Sequence, residues 1–153
     1  MTIPQAIAKN LREVFDGGNW TAVDIKAQIE GVSWEEANRE VHGFNTIVGL
    51  MYHIIYYMRS AIGVLKGGPL EGSDRFSFDH PPIESQGDWE AFIAEIWRDM
   101  ETCANLIEQM PEEQLWTDLE TYGSYYRNLQ GLVEHAHYHL GQIVLIRKII
   151  RRA

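Results

Sequence analysis

The chain has 153 residues, of which 45% are hydrophobic, so it is long enough to bury the core of one domain. Its formal net charge of -9 at pH 7 disfavours binding to the phosphate backbone of a nucleic acid. Four basic residues near the C-terminus are typical of a solvated helix end, where they offset the helix dipole: Arg147, Lys148, Arg151 and Arg152. We therefore predict one domain over residues 1–153 and no nucleic-acid partner.

Cysteine usage and the first residues favour a reducing compartment. Cys103 is the one cysteine, so it cannot form an internal disulfide. We interpret it as a small buried hydrophobic side chain rather than a catalytic thiol. The opening stretch MTIPQAIAKN lacks the apolar core of a signal peptide. These features predict a cytoplasmic protein.

The first predicted helix begins at a capping box, in which Thr2 is the cap and Gln5 reaches back to it. Pro4 suits the first turn of such a helix. Apolar residues then recur at helical spacing, at Ile3, Ile7, Leu11 and Phe15. The pair Gly17 and Gly18 ends the run.

The second predicted helix begins at another capping box, formed by Ser33 and Glu36. No proline follows before Pro69, so one long helix over about residues 34–66 is favoured, with an interruption near Gly43 left open. Its stretch FNTIVGLMYHIIYYM is apolar almost all round, yet it is shorter than the roughly 20 residues of a membrane-spanning helix. We predict a buried helix of a bundle and no membrane partner.

A long polar connection follows, over about residues 67–88, rich in Gly, Pro, Ser and Asp. A connection of this length is often functional, and it can cross a bundle. Asp88 is the predicted cap of the third helix, which ends before Pro111, and Ser124 is the predicted cap of the last. The fold class predicted is all-α: a four-helix bundle with long connections between helices two and three and between helices three and four.

The stretch EHAHYHLGQ, residues 134–142, has three histidines at alternate positions. On a strand all three would share a face, whereas on a helix only His135 and His139 would. Apolar residues recur three and four apart through this region, which indicates a helix. The two imidazoles then lie about 40° apart around the axis and about 6 Å apart along it, so both can reach one atom. Buried without a polar partner, each would cost on the order of 1 to 3 kcal/mol.

A divalent metal ion would provide that partner, with a third ligand from another helix. His53 is the candidate, since no charged neighbour in its apolar segment accounts for it. A pair at this spacing plus one distant histidine gives three nitrogen ligands and leaves a coordination position open, as in reactive sites. Such a site favours an anionic ligand: hydroxide, carboxylate or thiolate. Glu134 does not match the base of a zinc protease, because Ala136 rather than Glu follows His135.

The other three histidines receive separate interpretations. His137 falls on the opposite side of the last helix and is expected at the surface or an interface. His42 would share the stripe of His53 but lie about 16 Å along the helix from it, too far to bind the same ion. His80, in the long connection, could reach over the site as a lid residue.

Candidates for the surroundings of the metal follow from spacing. Gln142, one turn beyond His139, could orient a ligand or contact a substrate, or simply pack in the core. Asn45 and Gly49 would share the stripe of His53, and Gly49 would allow close approach. Tyrosines could line a pocket, or equally pack in the core or a dimer interface: Tyr52, Tyr56, Tyr57 and Tyr138.

Three features together resemble the DinB-like superfamily of metal-dependent helical proteins: GGNW after the first helix, a histidine followed by aromatics in the second, and AHYHLGQIVLIRK in the last. The resemblance covers nearly the whole chain. It implies a divalent metal ion on His53, His135 and His139, with zinc or nickel favoured and iron or manganese as further options. It also implies dimers, and in some branches transferases that use a low-molecular-weight thiol such as bacillithiol or mycothiol.

Three functional hypotheses remain open on this sequence. The first is a small-molecule metalloenzyme, such as a thiol-dependent S-transferase. The second is a metal-dependent hydrolase, and the third is a metal or ligand binder without enzymatic activity. The apolar excess of the second helix and the aromatic content of the chain also predict a homodimer.

Overall fold

The computed structural model describes residues 1–152 and is all-helical, as predicted. Six α-helices run along the chain: α1 (Ile3–Asp16), α2 (Ile25–Ile29), α3 (Trp34–Ala37), α4 (Ile47–Leu65), α5 (Gln86–Glu108) and α6 (Tyr125–Ile150). Two short 3₁₀ segments, Asp74–Phe76 and Glu112–Trp116, lie in the connections before α5 and α6. Within the described residues there is no β-strand, only two isolated bridges.

The four long helices share one core. Helix α1 packs against α5 and α6, and α4 packs against the same two helices, so each long helix borders two others. Their apolar faces supply the largest fully buried side chains, among them Phe15, Leu11, Ile54, Ile55, Met100 and Ile107. This arrangement agrees with the predicted bundle, and it packs α4 against α6.

Helix α1 forms as its sequence predicts. The Thr2 side chain accepts a hydrogen bond from the Gln5 N–H, and the Gln5 side chain accepts one from the Thr2 N–H. The helix ends at Gly17, whose backbone φ of 98° is rarely adopted by residues that have a side chain. Local sequence alone therefore accounts for both ends of α1.

The predicted long second helix is not continuous: it is interrupted in its first third, around Gly43, which is the alternative that the sequence left open. The Ser33–Glu36 capping box forms, but α3 ends at Ala37 and α4 begins only at Ile47, with Thr46 as its cap. The break has a local cause, because His42 (φ 50°) and Gly43 (φ 75°) both take left-handed conformations that a helix cannot contain. His42 is therefore exposed in a turn, and the helical stripe predicted for it does not exist.

Helix α4 is apolar and lies mostly in the core, with ten buried residues from Ile47 to Val64. By length and composition it is the one helix among the described residues that could cross a membrane, and 56% of its most apolar stretch is buried inside the fold. The core helix of a folded bundle passes the same test. The absence of a membrane partner stays a prediction.

The last two long helices begin close to the predicted positions. The cap of α5 is Ser85 rather than Asp88, since the Ser85 hydroxyl accepts from the Asp88 N–H. Asp88 lies inside the first turn, where its carboxylate accepts from the Glu84 N–H and the Ser85 hydroxyl. These hydrogen bonds, the one from Ser85 first, lower the pKa of Asp88. Ser124 caps α6 as predicted.

Candidate metal centre

Three histidines from two helices converge between α4 and α6. His53 comes from α4, while His135 and His139 come from α6, and one ring nitrogen of each lies within 4.8 Å of the other two. The Nε2 atoms of His135 and His139 are 3.0 Å apart. The ring centroid of His53 lies 4.9 Å from that of His135 and 4.7 Å from that of His139. The residues that the sequence singles out as ligands therefore form one cluster.

The local fold explains this convergence. His135 and His139 are separated by one helical turn, and the buried residues Ala136, Leu140 and Ile143 turn the same side of α6 toward the core. His53 lies in the buried part of α4, which packs on α6. His53 and His139 are 8% and 7% exposed, and His135 is half-buried. The cluster is therefore enclosed on the side of the core.

Gln142 determines which ring nitrogen of His139 carries the proton. The Nδ1 of His139 lies 2.7 Å from the Gln142 side-chain oxygen, which can only accept, so Nδ1 carries the proton and donates it. The neutral ring then has its lone pair on Nε2, the atom that faces His135. Gln142 thus orients the ring, one of the two roles expected for it, and its amide nitrogen also lies 3.4 Å from the Tyr138 hydroxyl.

His53 is oriented in the same way by Ser77, a residue that the sequence analysis missed. The Ser77 hydroxyl donates to the Asp74 carbonyl oxygen at 2.8 Å, so it accepts from His53 Nδ1 at 2.9 Å. The lone pair of His53 is therefore on Nε2. Ser77 is fully buried although it belongs to the long connection. No local signal distinguishes it from the other polar residues there, because its role depends on how the connection folds back.

The part of the connection over residues 72–78, here called the strap, lies against α4. The Ser73 N–H donates to the Tyr56 hydroxyl at 2.8 Å, and the Tyr57 hydroxyl donates to the Asp74 carboxylate. The ring of Phe78 stacks on His53 with 4.2 Å between centroids and 11° between planes. The strap thus covers one face of the His53 ring.

The three imidazoles are held neutral. Burial, then the neighbouring His139 and His53, lowers the pKa of His135 to about 4. Burial, then His139, lowers the pKa of His53, and burial lowers that of His139. Neutral rings keep the lone pairs that a metal ion needs.

The donor set fits a divalent metal ion. Two nitrogens bound to one zinc ion at about 2.0–2.1 Å are themselves separated by about 3 Å, as the Nε2 atoms of His135 and His139 are. Metal-binding histidines typically donate the other ring N–H to an oxygen, and His53 and His139 do so. Imidazole ligands suit zinc, nickel, iron and copper better than magnesium or calcium. Within residues 1–152 this is the one histidine, cysteine or carboxylate group with such geometry.

The remaining histidines lie elsewhere. His137 donates from Nδ1 to the Val133 carbonyl on its own helix, at 3.1 Å. The His80 ring donates to the Pro81 carbonyl and has its centroid 6.2 Å from that of Tyr52. Neither belongs to the cluster, and the predicted lid role of His80 finds no contact with the three rings.

The candidate pocket residues are divided by the structure. Tyr57 packs edge-on against His135 and His53, with centroids 5.1 Å and 5.2 Å away. Tyr138, largely exposed, lies 4.9 Å from His139. Tyr56 contacts Tyr57 and the strap rather than a histidine. Asn45 is exposed and precedes α4, so its predicted place on the stripe of His53 is wrong.

Two cavities lie beside the cluster. One of about 290 Å³ is lined by residues that include Tyr57, Asp74 and Leu132. The other, of about 430 Å³, is lined by residues that include Asn45 and Gln142. Gly49, which was expected to allow close approach, is next to the strap, because a side chain there would meet Phe78 at 3.7 Å. Both cavities share residues with the surroundings of the histidines.

Comparison with known protein families places the chain in one of them. The model of the DinB superfamily matches residues 11–143, a range that contains all three clustered histidines. Comparisons with curated proteins and with solved structures gave no match.

Proposed function

Because the chain belongs to the DinB superfamily, a metal-associated family, we propose that it binds one divalent metal ion through the ring nitrogens of His53, His135 and His139. The observation that supports this most directly is that three neutral imidazoles meet with one ring nitrogen of each within 4.8 Å of the others. In His53 and His139, the other ring nitrogen, Nδ1, is hydrogen-bonded to a side-chain oxygen. Zinc, nickel and iron all suit imidazole ligands, whereas manganese, a further candidate from the resemblance, is more often bound by carboxylates.

We propose that the site serves a thiol-dependent transfer to a small electrophilic molecule. A divalent ion held by three uncharged ligands supplies positive charge that favours thiolate over thiol near neutral pH. Ser77 and Gln142 keep the rings in the required tautomer, while Phe78 covers His53. In the transfer, the sulfur forms a bond to an electrophilic carbon and the bond to the leaving group breaks with its electron pair. The thiol proton is released to solvent or to the leaving group.

The surrounding carboxylates favour this chemistry over hydrolysis. A metal-dependent hydrolase commonly has a free carboxylate beside the ion to take a proton from water. Glu134, the acidic residue nearest in sequence to the pair, forms an exposed ion pair with Arg127 at 3.0 Å. The Asp74 carboxylate accepts from the Tyr57 hydroxyl. An ion lowers the pKa of bound water and of a bound thiol alike, but a free thiol starts from a pKa of about 8.5 against about 15.7 for water, so the thiol depends less on such a base.

Metal content tests the first part of the proposal. Purified protein is supplied with zinc, nickel, iron or manganese, desalted and measured by elemental analysis. We expect one ion per chain in the parent and in His137→Ala, a control on the same helix, and its loss in His135→Ala. A parent that retains no ion, or equal loss in both variants, would contradict the metal site.

Thiol dependence tests the second part. The metal-loaded protein is incubated with bacillithiol, mycothiol or glutathione and an electrophile such as chlorodinitrobenzene. We expect saturable formation of the thioether that requires both the thiol and His135. Turnover of ester or amide substrates without thiol would replace the transferase by the hydrolase, and metal retention without any turnover would replace it by a non-enzymatic binder.

We also propose that the protein is a homodimer, on grounds that differ from the predicted ones. The apolar residues of α4 are mostly used within the chain, whereas Phe44, Tyr138 and Leu145 are 58%, 65% and 62% exposed. Tyr138 and Leu145 lie two turns apart on α6, and Phe44 lines a cavity together with Leu145. Sedimentation velocity should give a dimer for the parent and a monomer for Leu145→Glu. A monomeric parent at micromolar concentration would contradict this proposal.

A further inference from the structure

The cavity of about 290 Å³ has a position that the proposed metal site does not explain. It lies between the second half of α4, the first half of α6 and the strap. Its lining includes Tyr57 and Ala61 of α4, Leu129 and Leu132 of α6, and Asp74 of the strap. Its volume is near the lower limit of cavities that hold small molecules.

The inner end of this cavity borders the histidines. Tyr57 lines the cavity and also packs against His135 and His53 at 5.1 Å and 5.2 Å between centroids. Leu132 precedes His135 by one turn, so their side chains lie on the same side of α6. The cavity and the cluster therefore share Tyr57 as a common neighbour, although no histidine lines the cavity itself.

The wall of the cavity is mainly apolar and has one charged group. Alanine, valine and leucine side chains lie beside three tyrosines, two serines and one asparagine, and Asp74 is the only charged residue in the lining. The Asp74 carboxylate is held there by the Tyr57 hydroxyl. An apolar group gains by leaving water for such a wall, whereas an anion would lose its hydration and meet a like charge.

We propose that this cavity binds the uncharged apolar part, aryl or alkyl, of the electrophilic substrate, and that Asp74 excludes anions from it. That the bound molecule is a substrate rests on the proposed function, but its binding to the cavity does not require the metal. It divides the two reactants by charge: the anionic thiolate goes to the cation, and the uncharged electrophile goes to the apolar cavity beside it.

Fluorine NMR with a small aryl probe tests the cavity directly. The probe is 4-fluorobenzyl alcohol, titrated into the parent, Ala61→Phe and Ala94→Phe. Ala61 lines the cavity, and Ala94 lines a separate surface groove next to α2, so the second variant is a matched control. We expect saturable binding to the parent and to Ala94→Phe, and a Kd at least tenfold higher for Ala61→Phe.

The charge preference has its own variant. The anion 4-fluorobenzoate should bind the parent at least tenfold more weakly than the alcohol. Asp74→Asn should still bind the alcohol, and the ratio of the benzoate Kd to the alcohol Kd should fall severalfold. This ratio tests Asp74 even if Ala61→Phe fails to fold. No saturable binding to the parent, equal binding to a folded Ala61→Phe, or an unchanged ratio in Asp74→Asn would overturn the inference.

The His135→Ala variant separates this inference from the metal proposal. It should lose the ion and retain the alcohol with an unchanged Kd, because His135 does not line the cavity. A parent without metal that shows the expected probe binding would refute the proposed function alone. A parent with metal and no probe binding would refute the cavity alone.

Discussion

Replacing Ser77 by alanine removes the hydroxyl that orients His53. In the structure, that hydroxyl accepts from His53 Nδ1 at 2.9 Å and donates to the Asp74 carbonyl at 2.8 Å. Ser77 is fully buried, so solvent has little access to replace the lost oxygen. The His53 N–H would then lack its acceptor, and the ring could rotate or move its proton to Nε2, where the lone pair for the metal should be.

The magnitude follows from two independent considerations. A buried donor without its acceptor costs about 1–3 kcal/mol. Loss of the group that orients a metal-binding histidine typically reduces metal affinity by about 10–100-fold, which is about 1.4–2.8 kcal/mol. The two ranges overlap, so we expect Ser77→Ala to bind zinc about 10–100-fold more weakly than the parent.

Competition with a fluorescent zinc chelator measures this change, and Ser85→Ala is the matched control. Ser85 caps α5 through the Asp88 N–H and lies outside the cluster. Its replacement should lower the free energy of unfolding by about 1 kcal/mol and leave the zinc affinity unchanged. If Ser77→Ala bound zinc as tightly as the parent, or if both variants lost the same affinity, the role assigned to Ser77 would be wrong.

Three further predictions concern metal binding, reactivity and stability. His135→Ala should lose at least a hundredfold in zinc affinity, measured by the same competition, while His137→Ala, whose ring bonds to its own helix, should match the parent. Burial raises the pKa of the Cys103 thiol to about 12, so iodoacetamide at pH 8 should label it only after unfolding in urea, as mass spectrometry would show; rapid labelling of the folded protein would contradict this. Trp89→Ala should lower the free energy of unfolding by about 3–5 kcal/mol in urea titrations followed by circular dichroism, because Trp89 is 3% exposed and donates to the Val32 carbonyl. Trp20→Ala should change it by about 0.5 kcal/mol or less, since Trp20 is 99% exposed.

Features that depend on residues close together in the chain could be predicted from the sequence. The capping box of Thr2 and Gln5 and the cap at Ser124 involve atoms three residues apart, so backbone geometry alone brings them together. The same applies to His135 and His139, because the helical period places them on one side of α6. His53 was harder to assign, and its place as third ligand depended on its apolar surroundings and on the need of the α6 pair for another ligand, to which the resemblance added support.

The extent of the break between α3 and α4 and the path of the folded-back connection could not be predicted. The sequence left an interruption near Gly43 open, because glycine readily takes positive φ, but the periodicity gave no sign that residues 38–46 lie outside a helix. The bond from His53 to Ser77 joins residues 24 positions apart, across a connection without periodicity. Asp74 was likewise indistinguishable from the other acidic residues of that connection.

The sequence by itself therefore determined the four long helices, most of their ends and the pair of histidines on α6, because these follow from hydrogen bonds and periodicity within a few residues; the short helix α2 lies in a segment interpreted as a linker. Only the tertiary structure decided three other features. These are the position of the strap against α4, the ring nitrogen of His53 that keeps its lone pair, and the cavity that borders the cluster. Those outcomes depend on contacts between distant segments, where the free energy of packing rather than local backbone preference selects the conformation.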